Sequence, residues 1–81
     1  MSEDVRQLVG RNVRRLRIAA GLTQAGLAVK MGVDRAYISG LELGERNPTV
    51  VTLWHVAQAL DVKVGLLLGE RAGRRRPDRK H

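Results

Sequence analysis

Apolar residues recur at helical spacing in several segments of the chain, and glycines separate the first of these segments. The first pattern runs from Asp4 to Ala20, with Asp4 as the N-cap and Gly21 at a left-handed C-terminal position. The second begins at Thr23, another capping residue, and stops at Gly32. The sequence therefore begins with one long and one short predicted helix.

Three further helices are predicted after this point. One is capped by Asp34 and covers about 34–43, one covers about 49–60 with Val50 in its apolar stripe, and a short helix or turn covers 64–68. Strand-like alternation of apolar and polar residues is not evident. We therefore expect an all-α, compact five-helix domain over residues 1–69.

The charge of the chain indicates what kind of partner to expect. The net charge of +7 favours a polyanion, and residues 70–81 carry six basic residues against two acidic ones. We expect this segment to be a disordered basic tail. The absence of cysteine excludes disulfides and thiolate metal sites, and without a leader-like start or a membrane-length apolar run we expect a cytoplasmic protein.

The two short helices around Gly32 have the arrangement of a helix-turn-helix, in which the second helix enters the major groove of DNA. The segments Gly21-Leu22-Thr23-Gln24-Ala25-Gly26-Leu27-Ala28, Gly32-Val33-Asp34-Arg35-Ala36-Tyr37-Ile38-Ser39 and Leu41-Glu42-Leu43-Gly44-Glu45-Arg46-Asn47-Pro48-Thr49 resemble the Cro/C1-type (Xre-like) helix-turn-helix family. The resemblance covers about residues 5–68. It implies a lambda-repressor-like domain that binds operator DNA as a homodimer.

Base contacts are expected from the start and outer face of the predicted recognition helix: Arg35, Ala36, Tyr37 and Ser39. Arg35 can bind guanine through two hydrogen bonds, although a phosphate contact or simple solvation is the alternative. Ala36 can meet a thymine methyl group, and Ser39 can donate to either strand. Tyr37 either bonds to the nucleic acid or covers the edge of the core.

Contacts to the DNA backbone are expected from Thr23, Gln24, Arg46, Asn47 and one arginine of the first helix, for which Arg14 is chosen. The start of a helix suits phosphate, since its amide groups are free and its dipole is positive there. In the family, the residue that matches Gln24 contacts phosphate and braces the reading helix. Thr23 is expected to cap its helix in either case.

The resemblance also implies a structural ion pair between Arg17 and Glu42, which orients the reading helix. Two residues depart from the family pattern. Gly40 replaces a larger polar side chain at an outward, base-reading position, and Leu43 replaces a polar or basic residue. Both departures reduce direct base reading and favour recognition of DNA shape.

Dimer contacts are expected around the fourth and fifth helices. Trp54 lies beside the main apolar stripe of the fourth helix and is the first candidate, followed by Leu66 and Leu68. Two subunits would read half-sites about 34 Å apart on double-stranded DNA.

The sequence therefore predicts a transcriptional regulator, with repression favoured. The alternatives are a controller protein of a restriction–modification system, an antitoxin whose basic tail contacts a toxin, and an adaptor that binds only protein. An enzyme is not expected, because His55 and His81 have no partner at metal spacing and Ser39 has no evident base. No metal or other cofactor is expected.

Overall fold

Five helices make up the part of the chain that the computed structural model describes, residues 4–69. They are α1 (Val5–Ala19), α2 (Gln24–Met31), α3 (Arg35–Glu42), α4 (Val50–Leu60) and α5 (Gly65–Leu68). This range contains no strand, so the expected all-α class with five helices is confirmed. The basic tail predicted for 70–81 lies outside the described residues. Between residues 4 and 69, no helix is long and apolar enough to span a bilayer.

Side chains cap three of the five helices. Asp4, Thr23 and Thr49 each accept a hydrogen bond from a backbone amide two or three residues further on, at 2.8–3.0 Å. The predicted cap of α3 is wrong in one respect, because Asp34 occupies the N-cap position but makes no side-chain capping bond. Asp34 is exposed, so water can solvate both its carboxylate and the first amides of α3.

The core lies where α1 packs on α3, α4 and α5, and where α2 packs on α3 and α4. Its buried apolar residues are Val9, Val13, Leu27, Ala28, Ile38, Leu41, Leu53, Val56, Ala57, Leu60 and Leu67. The placement of Val50 in this stripe is wrong, since its side chain is 79% exposed. Val50 has the right helical spacing but lies in the first turn of α4, beyond the buried part of that helix.

Helix α1 approaches the end of α3 closely at Gly10. A Cβ atom at Gly10 would lie 2.6 Å from the carbonyl oxygens of both Leu41 and Glu42. Only glycine allows this separation, because any side chain would overlap the backbone of α3. The contact therefore fixes the distance between the two helices.

A buried amide attaches the short helix α5 to α1. The Asn12 Nδ2 atom donates to the carbonyl oxygens of Leu67 and Gly69, both at 2.9 Å, and its Oδ1 atom accepts from Arg15 at 3.1 Å. Leu67 is fully buried. These contacts hold in place a helix that is too short to be stable by itself.

Candidate nucleic-acid interface

The turn between α2 and α3 depends on a left-handed glycine. Gly32 has φ 70° and ψ 33°, a conformation that residues with a Cβ atom rarely adopt. The Val33 amide donates back to the Ala28 carbonyl at 3.0 Å, which closes the end of α2. The chain then enters α3 after only three residues, so two eight-residue helices are joined by a short turn.

Helix α3 has distinct inner and outer sides. Ile38 and Leu41 are at most 1% exposed and hold the inner side in the core. Arg35 and Ala36 are exposed, while Tyr37 and Ser39 are half-buried. The helix therefore presents the predicted base-reading residues on or beside one surface that the core does not cover.

A nearly buried ion pair connects α1 to the end of α3. Arg17 donates to the two carboxylate oxygens of Glu42 at 2.6 and 3.0 Å, and its third bond goes to the Leu22 carbonyl at 2.9 Å. The side chains of Arg17 and Glu42 are only 10% and 4% exposed. The hydrogen bond with Glu42 raises the pKa of Arg17, so its guanidinium stays charged.

Gln24 extends this pair to the start of α3. Its Nε2 atom donates to Glu42 at 3.1 Å, and its Oε1 atom accepts from Arg35 Nη1 at 3.0 Å. A continuous chain of polar contacts thus runs from α1 through Glu42 and Gln24 to Arg35. The side chain predicted to contact phosphate is used within the protein, and the Thr23 hydroxyl beside it caps α2.

The contacts that Arg46 makes with α3 were not predicted from the sequence. Its side chain lies across Gly40, where a Cβ atom would be 3.0 Å from the Arg46 Nε atom, and its guanidinium lies 5.2 Å from the centre of the Tyr37 ring. The expectation that Gly40 forms part of the open outer surface is therefore wrong, because Arg46 covers it and Gly40 is buried. The sequence gives no sign of this contact, since it depends on how the loop after α3 folds back.

Two other residues that were predicted to contact the DNA backbone lie apart from this chain of polar contacts. Asn47 is exposed in the loop before α4. Arg14 is exposed on the outer side of α1, where it lines a shallow cavity of about 280 Å³. The other residues of that cavity are Arg11, Asn12, Arg15 and Ile18.

The residues predicted for a dimer interface are exposed on α4 and α5. Trp54, Leu66 and Leu68 are 51%, 47% and 47% exposed, and Trp54 meets the neighbouring His55 ring edge-on at 5.8 Å. Val50 and Val51 add exposed apolar surface one turn before Trp54. Large apolar side chains left in solvent on neighbouring turns are typical of a surface that binds another protein.

Among residues 4–69, no group of three or more His, Asp or Glu side chains could hold a metal ion. The polar side chains that do come together around α3 are the Arg17–Glu42 ion pair, Gln24 and Arg35.

A short helix, a left-handed glycine turn and a second short helix with an open outer side, all braced on α1, define a helix-turn-helix domain. The model of a family described as helix-turn-helix matches residues 13–67. The chain therefore belongs to the helix-turn-helix family, and the resemblance to its Cro/C1 type is confirmed.

Named relatives agree with this family. An uncharacterised HTH-type transcriptional regulator, y4dJ of Sinorhizobium fredii, is 52% identical over 73% of this chain and 77% of its own length. Control protein C.SmaI of Serratia marcescens is 40% identical over 80% of this chain and 77% of its own. The solved restriction-modification controller protein C.AhdI of Aeromonas hydrophila has a TM-score of 0.74 and 40% identity, covering 76% of this chain and 90% of that one.

Proposed function

We propose that the chain is a sequence-specific regulator of transcription that binds operator DNA as a homodimer, with α3 in the major groove. The observation that carries this proposal is the polar chain from Arg17 through Glu42 and Gln24 to Arg35. It holds the first outward side chain of α3 in one orientation while leaving the outer surface of the helix open. A rigid, exposed helix of this kind suits reading base edges.

The contacts divide into two kinds. Arg35, Ala36, Tyr37 and Ser39 contact base edges or lie beside them, and Arg35 supplies discrimination of about 1–3 kcal/mol against a wrong base. Thr23, Gln24, Arg14 and Asn47 contact the phosphate backbone and set the position of α3 without reading sequence. Gln24 contacts a phosphate and also orients Arg35. Its two bonds within the protein, to Glu42 and Arg35, hold its side chain in a fixed position.

The homodimer forms through the exposed apolar side chains of α4 and α5, with Trp54, Leu66 and Leu68 as its contacts. An exposed aromatic side chain beside aliphatic ones is the usual composition of the centre of an interface. Two copies of α3 then read half-sites one helical turn, about 34 Å, apart.

The second candidate is the controller of a restriction–modification system. It is favoured by the two control proteins above, which match this chain over most of their own length. Repression remains the favoured direction of regulation. The antitoxin alternative with its toxin partner, and the cytoplasmic location, stay predictions.

Binding to a random pool of duplex DNA tests the proposal. We expect retention at low salt, a loss of affinity as salt rises because releasing the counterions of the DNA into concentrated salt is less favourable, and enrichment of a motif with two symmetric halves. Arg35→Ala should relax the preference at one base position in each half. An adaptor that binds only protein would show no retention at any salt concentration.

A further inference from the structure

The side chain of Arg46 takes the place of the one that Gly40 lacks. Its Nε, Cγ and Cδ atoms lie 3.0, 3.3 and 3.6 Å from the point where a Cβ of residue 40 would stand. The aliphatic part of Arg46 therefore lies directly on the backbone of α3. A Cβ atom at position 40 would press on this side chain, which would have to shift.

This position is at the edge of the open surface of α3. Ala36 is four residues before Gly40 and lies on the same side of the helix, while Arg35 is about 140° away around the axis. One edge of the surface is therefore occupied by Arg35, held by Gln24. The other edge is occupied by Arg46, held against Gly40 and Tyr37.

The guanidinium of Arg46 is also available for a ligand. It lies over the Tyr37 ring at 5.2 Å, which restrains its position. Among residues 4–69 it forms no ion pair and no hydrogen bond, so its N–H groups are not used within the protein. A restrained arginine with unused donors loses little conformational entropy when it binds.

We propose that Arg46 is a second sequence-reading arginine, and that Gly40 is the positioning residue that lets it reach the major groove along α3. This inference rests on the proposed function. It assigns Arg46 to base edges, where the sequence alone predicted a phosphate contact. Guanine is the base that its two-donor fork fits.

The test compares the motifs that the full chain and its variants enrich from random duplex DNA. Arg46→Ala should relax the preference at one base pair per half-site by about 5- to 150-fold, the range of one such arginine contact. Arg46→Lys should relax the same position, because lysine keeps the charge but loses the planar fork. A motif unchanged in either variant, with equal loss of affinity for all sequences, would assign Arg46 to phosphate and overturn the inference.

Gly40→Ala tests the positioning role. It should alter the preference at the position that Arg46→Ala affects, and the double variant should be no worse than Arg46→Ala alone. Effects at separate positions, or effects that add, would overturn this role. Gly65→Ala is the matched control. A Cβ atom there meets nothing within 4 Å, and α5 lies outside the helix-turn-helix formed by α2 and α3.

Two outcomes separate the inference from the function on which it rests. A wild-type chain that enriches no motif would overturn both. A wild-type chain that enriches a motif which survives Arg46→Ala would overturn only the inference. Circular dichroism shows whether Gly40→Ala is folded, and the exposed Arg46 variants decide the base-reading claim even if it is not.

Discussion

Arg35 donates a hydrogen bond to the side chain of Gln24 at 3.0 Å, across the turn that joins the two short helices. The amide of Gln24 cannot rotate freely, because its nitrogen is bound to Glu42 at 3.1 Å. Arg35 is therefore oriented by an ion pair that it does not touch. Under the proposed function, this relationship ties the stability of the fold to the geometry of base recognition.

Gln24→Ala should release Arg35 while leaving the core intact. We expect the free energy of unfolding to fall by about 1 kcal/mol, the usual contribution of a hydrogen bond, and the base preference at the Arg35 position to weaken. Urea denaturation and motif enrichment measure the two effects. Gln58→Ala, at an exposed site on α4, is the control. An unchanged preference in Gln24→Ala would show that Arg35 does not need this contact.

Removing one member of the Arg17–Glu42 pair should be much more costly. Both side chains are nearly buried, so Glu42→Gln or Arg17→Met leaves the other charge without its partner and lowers stability by about 3–5 kcal/mol. The double variant Arg17→Met/Glu42→Leu should lose less than either single variant. The exposed Asp4–Arg6 pair is the control, and Arg6→Ala should change the denaturation midpoint little. Equal losses of stability on breaking the two pairs would contradict the larger contribution of the Arg17–Glu42 pair.

Gly10→Ala should destabilise the domain by forcing α1 away from α3. The new Cβ would stand 2.6 Å from two backbone oxygens, which cannot swing aside as a side chain could. Overpacking of this kind costs about 1–3 kcal/mol, against a gain of about 1 kcal/mol in helix propensity. Gly65→Ala should keep or raise the melting temperature, because it gains the propensity without the overlap. A Gly10→Ala domain as stable as the parent would mean that the two helices can separate freely.

Trp54→Ala should weaken the homodimer without unfolding the subunit, because half of the Trp54 surface is already exposed. An aromatic side chain at the centre of an interface contributes about 2 kcal/mol or more, so the dissociation constant should rise by about 30-fold. Sedimentation equilibrium measures it. Val29→Ala is the matched control, with an apolar side chain that is 79% exposed on α2. An equal effect of both substitutions would remove Trp54 from the interface.

The cap of α1 should resist acid. Hydrogen bonds from the side chain and the amide of Arg6 lower the pKa of Asp4 from 3.8 to about 2. Since the folded-state pKa is below the unfolded one, the stabilisation from this carboxylate is complete above pH 3.8 and is lost as pH falls towards 2. NMR titration of the Asp4 carboxyl should show this, and Arg6→Ala should move the pKa back up. A midpoint near 3.8 in the parent chain would refute it.

Helical spacing and glycine positions predicted the order of the helices well, because α1 to α4 each bury a regular apolar stripe. The Arg17–Glu42 pair was expected only from the family resemblance, since 25 residues separate the two and spacing alone says nothing of their contact. The packing of the Arg46 side chain on Gly40 could not be predicted from the sequence. A glycine in a recognition helix indicates a missing side chain, and only the fold shows which neighbour fills the space.

The close contact of Gly10 with the end of α3 also bears on how the binding preference of such a domain can change. Helix α3 is attached to the rest of the molecule through its backbone, its inner residues Ile38 and Leu41, and the Arg17–Glu42 pair. Under the proposed function, substitutions at Ala36 and Ser39 alter what the helix reads while its attachment stays the same. The domain is accordingly a suitable scaffold for directing the protein to new operators by changing two outward residues.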